Sequence, residues 1–185
     1  MTDQQSASDA ARIRQLEDRI AIVDVLHRYC DGIRLGDTAA IASCFTDNAT
    51  TDQALGRELV RGREAIREYF SPTRTTGLNR PRDGEDFDER VGTTPVVSNV
   101  RITLDGDAAQ CEYALLVFHV GYKNGDGKII VRYCRNTDEF TRTSDGWQVN
   151  RRVHRELWRS SLPGFPVAEG ALGVLGVLGA LPNEG

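Results

Sequence analysis

The chain has 185 residues and a formal charge of −4. That length suits one domain whose core needs no staples, and a charge so near balance gives no bulk attraction to nucleic acid or to a membrane surface. Four cysteines, Cys30, Cys44, Cys111 and Cys134, form no Cys-x-x-Cys pair and fall on predicted helices and strands, the pattern of reduced, buried thiols in a cytoplasmic protein.

Residues 1–10 are polar, lack the apolar stretch of a signal peptide and are expected to be disordered. From Ala11 to Leu35, Ile13, Leu16, Ile20, Val23, Leu26, Cys30 and Ile33 recur at helical spacing. Gly36 fits the helix stop, and Asp37 the N-cap of a short helix from Thr38 to Phe45. Two short strands are expected near Ala49–Gln53 and Glu58–Val60, then a third helix from Gly62 to Phe70, ended before Pro72. Ser71 to Gly92, with three glycines, two prolines and a charged run, reads as a mobile loop on the rim of a cavity. Thr93–Leu104 resumes as a strand. Asp107–Gly121, Lys128–Thr143 and Trp147–Trp158 then read as an antiparallel meander, punctuated by Asn124-Gly125-Asp126-Gly127 and Ser144-Asp145-Gly146. Strands this long must twist or bend. Residues 11–161 thus form the domain, and 162–185 a Gly/Leu-rich tail. No window reaches the roughly 18–20 apolar residues of a membrane span.

This order of elements resembles the nuclear-transport-factor-2-like superfamily, and within it the SnoaL-like branch of polyketide cyclases, scytalone and bile-acid dehydratases and lindane dehydrochlorinase. The residues carrying the resemblance are Ala21–Phe45, Val97-Ser98-Asn99-Val100-Arg101-Ile102, and Asp145-Gly146-Trp147-Gln148-Val149 with Arg152. The resemblance implies an α+β cone: a strongly curved, mostly antiparallel sheet wrapped against three helices around an apolar pocket. It also implies proton abstraction by an Asp–His dyad, yet the matching positions hold Arg34 and Pro95. An arginine is no base at neutral pH and proline relays no proton, so the dyad mechanism does not carry over. By the same resemblance Tyr29 matches a catalytic tyrosine of the bile-acid dehydratase, Arg152 a pocket arginine of the dehydrochlorinase, and Tyr113 a pocket histidine of scytalone dehydratase.

Read without the family, His27, Cys30, Asp31 and Arg34 share one helix face. Asp31 and Arg34 then either point a guanidinium at a ligand or form a surface ion pair. Tyr29 is either a core aromatic with a tethered hydroxyl or an acid. His119, near a strand end, is placed at the rim, where it either meets a ligand or is solvated. On the last strand Gln148, Asn150, Arg152 and His154 alternate with Trp147, Val149 and Val153; the polar row lines a wet pocket or faces solvent. Three histidines without ligand spacing make no metal site, and no cofactor motif is present.

The leading expectation is therefore a cofactor-independent cyclase, isomerase or dehydratase acting on a small hydrophobic or aromatic substrate. Tyr29 would be the acid, Asp31 or His154 the base, and Arg34 or Arg152 the partner of an enolate or carboxylate, with Tyr113, His119 and Asn150 contacting substrate. The alternatives are a non-catalytic ligand-binding protein and an accessory subunit resembling the β-subunit of ring-hydroxylating dioxygenases. A homodimer through the convex sheet face is expected, because Trp147, Val149 and Val153 would otherwise be bare.

Overall fold

A computed structural model describes residues 2–52, 59–71 and 87–163. In chain order these form α1 (Thr2–Leu35), α2 (Thr38–Ser43), β1 (Phe45–Asp52), β2 (Leu59–Arg61), α3 (Arg63–Tyr69), β3 (Glu89–Asp105), β4 (Ala108–Lys123), β5 (Asp126–Thr143) and β6 (Gly146–Pro163). The strands make one sheet in the order β2-β1-β6-β5-β4-β3. All neighbours are antiparallel except β1 and β6, which run parallel. The expected α+β architecture and the meander are both present. Among the described residues no helix is long and apolar enough to cross a membrane.

Turn chemistry sets the meander. Asn124 and Gly125 have φ of 54° and 84° and close a two-residue loop between Lys123 and Asp126. Two successive positive φ angles match the right-handed twist of the flanking strands, and asparagine and glycine accept them. The long strands bend at bulges. Asn99, at φ 54°, lies where Asn99 and Val100 oppose the single residue Tyr113, and Asn150 is the extra residue between Val149 and Arg151 on β6. A bulge inserts one residue and so reverses the in–out alternation beyond it. Arg152 and His154 consequently share the inner face with Trp147 and Val149, which are buried. This corrects the assignment from strict alternation, and it removes the reason for a dimer on the convex face.

Helix α1 begins at Thr2, nine residues before the expected start, because nothing from Thr2 to Gly32 breaks a helix. The side chains it packs against the sheet are Ile22, Val25, Leu26, Tyr29 and Ile33, each worth about 1.5–3 kcal/mol when fully buried. Ile13, Leu16 and Ile20, expected on that face, are exposed instead. Below them Asp18 is buried, accepting from Arg142 Nη2 at 2.7 Å and Trp147 Nε1 at 3.1 Å, which ties α1 to the β5–β6 hairpin.

At its other end α1 meets α2, which Asp37 caps by accepting from the Ala40 amide at 2.9 Å. Gly32 makes this approach possible, since a Cβ there would stand 2.7 Å from Ile41 Cγ1. The expected 71–92 loop is shorter at its far end, because β3 starts at Glu89 and Asp88 accepts from Lys123 Nζ and the Asn124 amide. The rest of that loop and the tail beyond Pro163 lie outside the described residues.

Candidate functional site

The middle rungs of β4, β5 and β6 place polar side chains on the inner face. Asn136 and Asp138 lie between Cys134 and Phe140 along β5, Tyr113 comes from β4, and Arg152 and His154 come from β6. Arg152 and Asp138 side chains are both 0% exposed. The guanidinium donates from Nε at 2.9 Å and from Nη2 at 2.6 Å to the two Asp138 oxygens, the bidentate geometry that gives specificity as well as energy. It also lies over aromatic rings, 4.0 Å from the Tyr29 centroid and 5.0 Å from that of Phe45. Rings at this range stabilise a desolvated cation.

From Asp138 the contacts continue toward β6. The Tyr113 hydroxyl donates to Asp138 Oδ2 at 3.1 Å, Asn136 Nδ2 donates to Tyr113 Oη at 2.8 Å, and Asn136 Oδ1 faces His154 Nδ1 at 2.7 Å. Donor and acceptor capacity fixes the direction of this chain. A carboxylate only accepts, so Tyr113 spends its single proton on Asp138, and its oxygen must accept from the Asn136 amide nitrogen. That leaves the Asn136 carbonyl oxygen toward His154, so His154 Nδ1 carries a proton and donates. In the neutral imidazole the basic lone pair is therefore on Nε2.

Electrostatics sort the neighbouring groups. Burial pushes the Tyr29 hydroxyl up to about 12 against the opposing Arg152 charge, and raises Tyr113 well above its ordinary value. Both stay protonated at neutral pH, which suits a hydrogen-bond donor and not a proton shuttle. Burial likewise raises the thiols of Cys30, Cys44 and Cys111 to about 12, 11 and 12, so none is a thiolate nucleophile. For Arg152 burial alone would favour deprotonation, but Asp138, Tyr113 and Tyr29 reverse the effect and hold it well above its ordinary value.

Of the residues named from sequence, Tyr29, Tyr113, Arg152 and His154 come together here. Arg34 and Asp31 do not. They are exposed and form an ion pair at 3.2 Å on the outer side of α1, because Ile33 and Tyr29 take the inward positions and Arg34 follows about 100° round the helix. Asn150, carried outward by its bulge, meets Thr46 Oγ1 at 3.3 Å. His119 is buried and not at a solvated rim: β3 extends far enough to bring Thr93 Oγ1 to 3.1 Å and Arg90 Nη1 to 3.4 Å from its Nδ1. Asp138 and Asn136 were missed. Their signal was present, since polar residues stand at two successive inward positions of a strand whose other inward residues include Ile130, Cys134 and Phe140.

A separate cleft of about 370 Å³ opens between the start of β1, α3 and the β5–β6 turn, lined by polar groups including Asp47, Arg63 and Gln148. Arg63 is already engaged there by Asp47 and by the carbonyl of Phe45, and the cleft contains no member of the buried chain. Among the described residues no group of three or more His, Cys, Asp or Glu is arranged to hold a metal ion.

Residues 14–153 match the SnoaL-like domain. Among curated proteins, the steroid Δ-isomerase of Nocardioides simplex is 44% identical over 43 residues, 23% of this chain and 35% of that enzyme. The match thus spans about a third of that relative's length. Among solved structures, a nuclear-transport-factor-2-like protein with a cystatin-like fold from Novosphingobium aromaticivorans is 26% identical, covering 85% of this chain and 92% of the other with a TM-score of 0.66. A hexachlorocyclohexane dehydrochlorinase from Novosphingobium barchaimii is 16% identical, covering 83% and 96% with a TM-score of 0.65, a likeness of fold alone.

Proposed function

We propose that this chain, which belongs to the SnoaL-like domain family, is an enzyme that moves a proton on a small hydrophobic or aromatic carbonyl compound without a cofactor. His154 is the base, and the outcome is an isomerisation, cyclisation or dehydration. The observation that carries this reading is the directed chain from Asp138 through Tyr113 and Asn136 to His154. Its direction supports Nε2 as the proton acceptor, without the aspartate of the family's dyad.

In the step proposed, Nε2 takes a proton from carbon next to the substrate carbonyl, and the electron pair moves onto the carbonyl oxygen. The imidazolium that forms donates from Nδ1 to the Asn136 oxygen, and the amide, the Tyr113 hydroxyl and Asp138 polarise in series behind it. The proton then returns to another carbon, or leaves with a hydroxyl as water. Arg152 spends Nε and Nη2 on Asp138, so it holds the relay in place and balances its charge, while its buried Nη1 has no hydrogen-bond partner among the described residues. Charge balance inside the sheet favours a neutral substrate over a carboxylate. The steroid isomerase among the relatives makes a β,γ-unsaturated ketosteroid a sensible first probe, because its conversion to the conjugated enone is read by ultraviolet absorbance.

With that ketone and a panel of aromatic ketones, His154→Gln is expected to lower kcat/KM about 10²–10⁴-fold and to abolish the limb of the pH profile on which activity rises with loss of one proton. A His154→Gln enzyme as active as the parent removes His154 from the mechanism. The second reading, a ligand-binding protein without turnover, draws on the absence of the dyad at Arg34 and Pro95. It gains if the parent binds a panel compound in a fluorescence titration and converts none.

A further inference from the structure

Viewed down α1, the outward side is as patterned as the buried one. Ile22, Val25, Leu26, Tyr29 and Ile33 face the sheet. At about 100° per residue, Ile13, Leu16 and Ile20 fall on roughly the opposite side, with Val23, half-buried, on the flank between the two rows. Ile13, Leu16 and Ile20 are 55%, 60% and 62% exposed, and every described side chain from Ser8 to Glu17 is exposed. The first half of the helix therefore runs clear of the sheet. A helical arm of about a dozen residues without packing is marginal in water, so this arm gains from a partner.

Continued to Val23, the outward row is spaced three, four and three residues, which puts Ile13 and Ile20 at the a positions and Leu16 and Val23 at the d positions of two heptads. Isoleucine at a with leucine at d favours a two-stranded parallel coiled coil. The flanking charges agree. Arg12 and Arg19 fall at g, Glu17 and Asp24 at e, and in a parallel pair each g residue meets the e residue five positions on in the other helix. Arg12 would face the partner's Glu17; Arg19 instead ties the helix to its own sheet, donating to the Ile102 carbonyl at 2.8 Å. An antiparallel pair would set arginine beside arginine and acid beside acid. Asp9 and His27, polar at the adjoining core positions, limit the seam to two heptads.

We infer that α1 pairs in parallel and in register with α1 of a second copy of this chain, through the seam Ile13–Val23. Each sheet then lies on the far side of its own helix, and the two inner faces stay separate. The seam is short, so the association is reversible and depends on concentration.

Sedimentation velocity on the full chain, from about 1 to 100 µM, tests this. The parent is expected to pass from monomer to dimer. Leu16→Glu is expected to weaken dimerisation about 100-fold with an unchanged far-ultraviolet circular dichroism spectrum, because Leu16 takes no part in the core. Arg12→Glu is expected to weaken it about threefold, and the exchange Arg12→Glu with Glu17→Arg to restore it. Leu16→Cys is expected to form a symmetric interchain disulfide on mild oxidation, as only the in-register parallel arrangement brings the two positions together. A parent that stays monomeric over the whole range overturns the proposal, as does a dimer indifferent to Leu16→Glu, or a Leu16→Cys chain that stays reduced.

Discussion

Replacing Asp138 by asparagine changes one oxygen for one nitrogen at the centre of the inner face, and its cost follows from what Asp138 holds. The carboxylate accepts two bonds from Arg152 and one from Tyr113, with the Asp138 and Arg152 side chains fully excluded from solvent. The amide keeps the shape but has one accepting oxygen, and turns its own donors on a guanidinium or a hydroxyl that also donates. Removing one member of a buried ion pair typically costs about 3–5 kcal/mol, because the surviving charge is desolvated and uncompensated. In a domain of this size each kcal/mol moves the melting temperature by about 2–4 °C, so Asp138→Asn is expected to melt about 6–20 °C below the parent. Thermal and urea unfolding followed by circular dichroism measure this. A second readout separates the relay from simple stability. Once position 138 can donate, Tyr113 is no longer forced to, the direction of the chain is lost, and nitrogen NMR of the His154 ring should show a mixture of tautomers where the parent shows Nδ1–H alone. A melting point within about 2 °C of the parent, roughly 1 kcal/mol, would falsify the buried-pair reasoning. An unchanged tautomer would refute the directional argument even if stability fell.

Gly32→Ala gains up to about 1 kcal/mol of helix propensity, but the added methyl would stand 2.7 Å from Ile41 Cγ1 and 3.1 Å from the Asp37 carbonyl oxygen. Overpacking of about 1–3 kcal/mol should win, lowering the urea midpoint; a variant as stable as the parent would mean that α2 can back away. Asp18 adds a dependence on pH. Burial alone would raise its pKa, but hydrogen bonds from Arg142 and Trp147 outweigh this and the net shift is downward. Its contribution is therefore complete above the ordinary carboxylate range and drains away as pH falls through the lowered folded-state value. The gap in melting temperature between the parent and Asp18→Asn should be widest near neutral pH and narrow on acidification. A gap that stays constant down to about pH 3 would exclude this linkage.

The meander was legible because its signals are local: Asn124-Gly125 and the Ser144–Gly146 turn leave the backbone few choices. The buried chain was legible only in part. Tyr29, Tyr113 and Arg152 were marked by the resemblance, and His154 by the polar row of the last strand. Asp138 and Asn136 carried a signal as polar residues at two successive inward positions of β5, but their partners did not: nothing short of three-dimensional pairing sets an aspartate against an arginine fourteen residues later. Asn150 was misplaced because a bulge leaves no mark in a two-residue period, and the same omission turned Trp147 and Val149 to the wrong face. Arg34 was put at the site by the resemblance alone; read from the residues, its surface ion pair with Asp31 was one of two alternatives, and it is the one present. The helix carries two apolar rows, and a single averaged stripe merged Ile13, Leu16 and Ile20 with residues that face the sheet.

The parallel pairing of β1 with β6 has a consequence in time. Phe45 lies beside Val149, and Thr50, Thr51 and Asp52 lie beside Arg151, Arg152 and Val153. The anchor of α1 on Trp147 likewise joins residues 129 positions apart. During synthesis at about 5–20 residues per second, the helix and the first two strands are made on the order of ten seconds before the strand that completes them. The β3–β6 hairpins close over short loops and need no earlier segment, so loop-closure entropy favours them as the early scaffold, with the first third of the chain expected to dock onto it last. In that interval the apolar side of α1 and one edge of the growing sheet are both exposed, which makes that stage of synthesis the one most open to aggregation and to chaperone binding.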